Sequence, residues 1–174
     1  MWDGDFEYED IGGAATITDY TGSAKDVVIP DVIGGLAVTA IGEKNGKGAF
    51  QGKQLTSVNI PDSVIVIGKG AFQKNQLTGV TIPDSVTVIG DIAFCNNPLK
   101  NINIGHSVHS IGACAFANNQ LTSVTIPDSV ITIGKEAFAG NQLISVTIPD
   151  SVVRIEDGVF KGNKLIGVTI GNSV

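Results

Sequence analysis

The sequence predicts a mainly β solenoid of stacked coils. A 22-residue unit begins at Leu55 and restarts at Leu77, Leu99, Leu121, Leu143 and Leu165. The same columns are apolar in every unit, and Pro, Gly and Asn recur at fixed places between them. A fixed period in this range marks a repeat architecture in which each unit touches only its neighbours. Such a chain offers an extended surface and no closed pocket, which favours binding over catalysis.

Four segments follow in order. Residues 1–26 lie outside the repeat. There Trp2, Phe6 and Tyr8 alternate with Asp3, Asp5, Glu7 and Glu9, giving a strand with one apolar and one acidic face. The expected role is a cap whose aromatics cover the first coil and whose acids keep the edge soluble. A calcium site would need a ligand-forming loop, which this stretch does not spell. Residues 27–54 read as a stretched first repeat, with landmarks at Val27–Pro30, Ala40–Gly42 and Ala49–Phe50. Residues 55–164 form five units without insertion or deletion, and residues 165–174 begin a sixth.

Within a unit, positions 1, 4, 6, 10, 13, 17 and 18 are apolar; in the first they are Leu55, Val58, Ile60, Val64, Ile67, Ala71 and Phe72. Val58-x-Ile60 alternates with period two, as a half-buried strand does. Proline at position 7 (Pro61, Pro83, Pro127, Pro149) cannot donate to a ladder and ends the strand. The Asp-Ser that follows suits a turn. Position 13 is always Ile, and the Ala-Phe stretch after it is expected in one helical or 3₁₀ turn with both side chains inward. Position 14 is Gly until Glu156, so it does not demand a positive φ. Position 21 is always Asn (Asn75, Asn97, Asn119, Asn141, Asn163), which reads as an inward column satisfying loop backbone.

Composition bounds function. Apolar residues make up 43% of the 174, enough for a core of about one domain. The net charge of −6 sits almost wholly in residues 1–10, which carry −5, leaving −1 for all the remaining residues and the repeats nearly neutral. No basic stripe is present to neutralise phosphates, so nucleic acid is not an expected partner. No apolar run approaches the ~18 residues of a membrane span, so no membrane insertion is expected. The opening MWDGDFEYED lacks a basic-then-apolar signal segment, and leaves cytosolic and signal-cleaved origins both open. Cys95 and Cys114 are too few for a disulfide framework; they are either free thiols or one bridge between adjacent coils.

No Ser/His/Asp order, phosphate loop, CxxC pair or inward carboxylate pair is present, so no enzyme, catalytic residue or cofactor is expected. His106 and His109 sit near a turn without the further ligands a zinc ion needs, so no metal is expected.

The order Leu-x-x-Val-x-Ile followed by IPDSVTVIGDIAFCNN resembles the BspA-like, or Treponema pallidum type, leucine-rich repeat. The opening FEYEDIGGAATITDYTGSAKDVVIPDVIGGLAVTAIG resembles that family's amino-terminal start, so the likeness covers residues 6–174. The usual Asn after the strand is replaced by Ser63, Ser85, Ser107, Ser129 and Ser151. The resemblance implies a leucine-rich-repeat solenoid with a short parallel sheet on its concave side and short helical or 3₁₀ turns and loops on its convex side. It also implies a secreted or cell-surface protein, of the kind found mostly in bacteria, that binds a host matrix or cell-surface protein.

The outward strand positions 3 and 5 would line the sheet: Ser57, Asn59, Thr81, Asn101, Asn103, Ser123, Thr125, Ser145, Thr147 and Thr169, with Gly79 and Gly167 between them. This row is small, polar and uncharged. It reads as a binding face or as a solvated sheet face rich in β-formers. Positions 11 and 12 are apolar in several units (Ile65, Val66, Val88, Ile131, Val153) and read either as a partner strip or as a second strand. Leu165, Val168, Ile170 and Val174 have no following coil in the sequence, so the expectation is a longer parent chain or end-to-end association of two copies. The binding reading therefore has a rival, a spacer or assembly element that associates through this end.

Overall fold

A computed structural model describes residues 1–173; Val174 lies outside the described residues. The chain winds into about seven coils with parallel pairing between them. One ladder runs the length of the molecule. It joins Val66–Ile67, Val88–Ile89, Ser110–Ile111, Thr132–Ile133 and Arg154–Ile155 in a constant parallel register. Leu36–Ile41 extends it on one side, followed by Ala14–Tyr20 in parallel and then by the antiparallel strands Phe6–Ile11 and Trp2–Asp3. Of the two readings of positions 11 and 12, the structure shows the second strand, at positions 12 and 13. The period-22 isoleucines explain it: Ile67, Ile89, Ile111 and Ile133 are at most 1% exposed, so each coil anchors the next strand in one register.

A second set of parallel strands sits at positions 3–5, and it is broken. Asp26–Val28 pairs with Ser57–Asn59, Gly79–Thr81 with Asn101–Asn103, and Ser145–Ile148 with Gly167–Ile170. Residues 123–125 pair with neither neighbour.

The core is a column of stacked side chains. Phe50, Phe72, Phe94, Phe116, Phe138 and Phe160 follow one another at ring-centroid distances of 5.2–5.8 Å, with interplanar angles of 2–14°. Phe6 and Tyr20 close the column over Phe50 at 6.3 and 5.3 Å. Trp2 does not join them as the alternation in the first strand suggests; it is 53% exposed, because the Trp2–Asp3 strand lies at the outer edge of the ladder.

The helical or 3₁₀ turn expected at the Ala-Phe stretch is absent, and no helix occurs among the described residues. The residue at position 16 is left-handed in every regular unit: Gly70, Ile92, Cys114, Glu136 and Gly158 have φ of 63°, 50°, 53°, 55° and 66°. A helix needs consecutive right-handed residues. Here the left-handed residue turns the following N–H groups toward the next coil. Phe72 N donates to Ala93 O at 2.8 Å, Phe94 N to Ala115 O at 2.8 Å and Phe116 N to Ala137 O at 2.8 Å. Each turn is thus part of the inter-coil network.

Position 20 is left-handed as well, at Lys74, Asn96, Asn118, Gly140 and Gly162. Lys74 is exposed with φ 57°, so its side chain packs on nothing that would offset the strain. The left-handed region costs an L-residue roughly 1–2 kcal/mol, and glycine about 0.5–1 kcal/mol of extra chain entropy. Lys74→Gly is therefore expected to stabilise the protein by up to about 1 kcal/mol, read as a raised denaturation midpoint.

Candidate recognition face

The asparagine column joins neighbouring coils. Asn119 Oδ1 accepts from Leu99 N at 3.2 Å, and its Nδ2 donates to Phe94 O at 3.1 Å and Phe116 O at 3.0 Å. Asn75, Asn97, Asn141 and Asn163 repeat this arrangement, each holding the leucine N–H that opens its own unit and two phenylalanine carbonyls, one from its own unit and one from the preceding coil. With acceptor and donor both engaged on backbone, these side chains have little left to offer a ligand. The serines that stand for the usual asparagine act similarly: Ser85, Ser129 and Ser151 donate across one coil to Val64, Val108 and Val130 carbonyls at 2.7–2.8 Å. Ser63 Oγ is buried without a partner.

The outward residues differ. Ser57, Asn59, Thr81, Asn101, Asn103, Ser123, Thr125, Ser145, Thr147 and Thr169 are all exposed, on one side of successive coils. Their alternation with half-buried or buried Val58, Val80, Ile102, Val124 and Val146 directs them outward. The structure brings them into one strip, which dips into two open furrows. One is floored by Val58, Val80 and Ile102 between Ser57, Thr81 and Asn103. The other lies along Ser123, Thr125, Ser145 and Thr147. The first furrow crosses both an open and a paired seam and the second lies over an open one, a relief that strand periodicity alone does not reveal.

Charge enters this strip only at its edges. Asp26 Oδ1 accepts from Thr56 Oγ1 at 2.7 Å and Ser57 Oγ at 2.8 Å, and these bonds hold its carboxyl below the usual range. Asp84 is held low by the His106 N–H and ring, with Oδ1 2.7 Å from the backbone nitrogen and 3.1 Å from Nδ1. Both pairs are exposed and contribute little to stability.

The two cysteines are free thiols. Burial raises the Cys95 thiol above its usual range and the adjacent Cys114 raises it further; Cys114 is raised by burial, Glu136 and Asp91. Neither is activated as a nucleophile. Among the described residues no group of three or more His, Cys, Asp or Glu is placed to hold a metal ion, and no helix is long and apolar enough to cross a membrane.

A family profile described as a BspA type leucine rich repeat region matches residues 43–167 in 6 copies. The chain belongs to the BspA-type leucine-rich repeat family. Solved structures share its coil. The T. pallidum leucine-rich repeat protein TpLRR is 24% identical with a TM-score of 0.61, covering 97% of this chain and 81% of that one. A leucine-rich repeat protein from Eubacterium ventriosum is 23% identical with a TM-score of 0.66, covering 98% of this chain and 43% of that one. The pneumococcal vaccine antigen PcpA is 16% identical with a TM-score of 0.56, covering 99% and 50%. At these identities the likeness shows the fold, and the chain spans half or less of the latter two proteins. No curated protein matches the sequence. BspA-type repeats are typically protein-interaction modules, generally without enzymatic activity, in proteins that are typically secreted or on the cell surface.

Proposed function

We propose that this BspA-type solenoid is a non-enzymatic recognition module of a secreted or cell-surface protein. It binds a protein partner of the host-matrix or cell-surface kind through the strip at positions 3 and 5. The observation that supports this reading is the division of labour between columns. The inward Asn, Phe and Ile columns are spent on the fold, whereas the strip is exposed, polar, uncharged and furrowed along several coils. A surface of this kind engages a partner by many hydrogen bonds over a long contact, with the apolar furrow floors supplying burial.

A panel of extracellular-matrix and cell-surface proteins, offered to the immobilised chain and to a Thr81→Lys, Thr125→Lys variant, tests the proposal. Two bulky charges on the strip are expected to weaken capture by about tenfold or more, the effect of roughly 1.4 kcal/mol of lost interaction. Equal capture by both proteins rules the strip out.

A second reading is favoured by the last coil. Val168 and Ile170 on the outer strand Gly167–Ile170 are 46% and 58% exposed, and Ile166 just before it is 88% exposed. With half-buried Leu165 they form an apolar strand edge suited to end-to-end pairing of two copies. In that case the repeats act as a spacer or assembly element. Sedimentation of the same two preparations separates the readings: a concentration-dependent dimer insensitive to the strip substitutions supports assembly.

A further inference from the structure

We infer that the residue at position 7 decides whether the polar strip is clasped or open at each seam between regular coils, so that two closed coil pairs are separated from the other coils by seams that breathe. Two seams are clasped, Gly79–Thr81 to Asn101–Asn103 and Ser145–Ile148 to Gly167–Ile170. In both, the incoming coil carries glycine at position 7, Gly105 or Gly171. Three seams are open, at Pro83, Pro127 and Pro149, where the incoming strand pairs with nothing before it.

The cause is steric. A Cβ on Gly105 would lie 2.2 Å from Pro83 O, and one on Gly171 would lie 2.6 Å from Pro149 O. Both approaches are closer than any side chain tolerates. A lost donor does not explain the difference, because neither glycine N–H makes a backbone hydrogen bond there. The close approach lets the aspartate of the preceding turn reach across. His106 N donates to Asp84 Oδ1 at 2.7 Å and Asn172 N to Asp150 Oδ1 at 2.7 Å, with no equivalent at the proline seams. The clasp then completes the ladder: Ile82 N donates to Asn103 O at 2.8 Å, Lys100 N to Thr78 O at 2.9 Å and Ile166 N to Ile144 O at 2.9 Å. The matching amides of Ile60, Ile104 and Ile126 have no backbone partner.

Pro61 marks the boundary of the rule. Its coil pairs with Asp26–Val28, but the preceding coil is the stretched first repeat, and the pairing is clasped from the other end of the strand by Asp26 on Thr56 and Ser57. On the opposite side of the solenoid every regular seam is bonded, through the position 12–13 ladder and the phenylalanine amides. That side serves as the pivot, so a seam opens on the polar side without separating the coils.

Amide hydrogen exchange of the whole chain, followed by NMR, tests this whether or not the strip binds a partner. The Ile82 amide is expected to exchange about tenfold or more slowly than those of Ile60, Ile104 and Ile126. Gly105→Ala is expected to accelerate Ile82 and Lys100 by about tenfold or more while Phe94 and Phe116 remain protected, showing an intact coil. If that variant does not fold, Pro127→Gly gives the converse, a slowing of Ile104. Equal protection of Ile104 and Ile82 in the unaltered protein overturns the inference, as does an unmoved Ile82 in folded Gly105→Ala or an unmoved Ile104 in Pro127→Gly.

Discussion

Phe116→Ala is expected to destabilise the protein by about 3–5 kcal/mol, the cost of removing a buried aromatic and leaving its cavity. Phe116 is fully buried, with ring centroids 5.4 Å from both Phe94 and Phe138 and interplanar angles of 2° and 10°. The neighbours cannot close the gap, because Phe94 N bonded to Ala115 O and Phe116 N bonded to Ala137 O fix the coil spacing. The cost therefore belongs in the upper part of that range. Phe160→Ala is expected to cost less, since Phe160 is half-buried with a stacked ring on one side only. Chemical denaturation of the two variants gives the comparison. Similar midpoints would mean that the stack does not transmit burial from coil to coil.

Asn119→Ala is expected to cost about 2–6 kcal/mol, because it leaves the buried Leu99 N unpaired at roughly 1–3 kcal/mol and takes one hydrogen bond of about 0.5–1.5 kcal/mol from each of Phe94 O and Phe116 O. The two carbonyls keep a second donor, Asn97 Nδ2 at 3.0 Å on Phe94 O and Asn141 Nδ2 at 2.9 Å on Phe116 O, whereas Leu99 N has Asn119 alone. Asn119→Asp is expected to recover little. It keeps an acceptor for Leu99 N but sets carboxylate oxygens against the two carbonyls in place of the Nδ2 donor. Asn59→Ala, on the exposed strip, is expected to stay within about 0.5 kcal/mol of the parent in the same denaturation experiment. The contrast separates fold columns from surface columns by measurement.

Much of the fold is legible in the columns. An invariant Ile at position 13 and the near-invariant Ala-Phe at positions 17 and 18 leave few ways to stack coils other than in register. The turn after Ile is not legible. Ile92, Cys114 and Glu136 are poor left-handed residues, and inter-coil hydrogen bonds of their own amides and of the phenylalanine amides that follow hold them there. A reading confined to one unit weighs helix against strand within that unit and cannot see the next coil as acceptor. The broken strip is hidden for a related reason. Pro83 and Gly105 both look like strand terminators, yet their difference acts on the neighbouring coil through a Cβ. The exposed residues of the strip follow from strand alternation, whereas its furrows depend on how neighbouring coils sit against one another. The identity of the partner is not written in a row of Ser, Thr and Asn, whose hydroxyl and amide groups suit many surfaces.

Recognition through positions 3 and 5, and not through the other exposed row, has a direct test. A partner captured on the unaltered chain decides it when its dissociation constant is measured against Thr81→Lys, Thr125→Lys and against Ile65→Lys, Ile131→Lys. Ile65 and Ile131 are 45% and 42% exposed at position 11, so the second pair places the same charges on a different surface. Recognition through the strip predicts a rise of about tenfold or more for the threonine pair and little change for the isoleucine pair. Weakening by the isoleucine pair alone would contradict it.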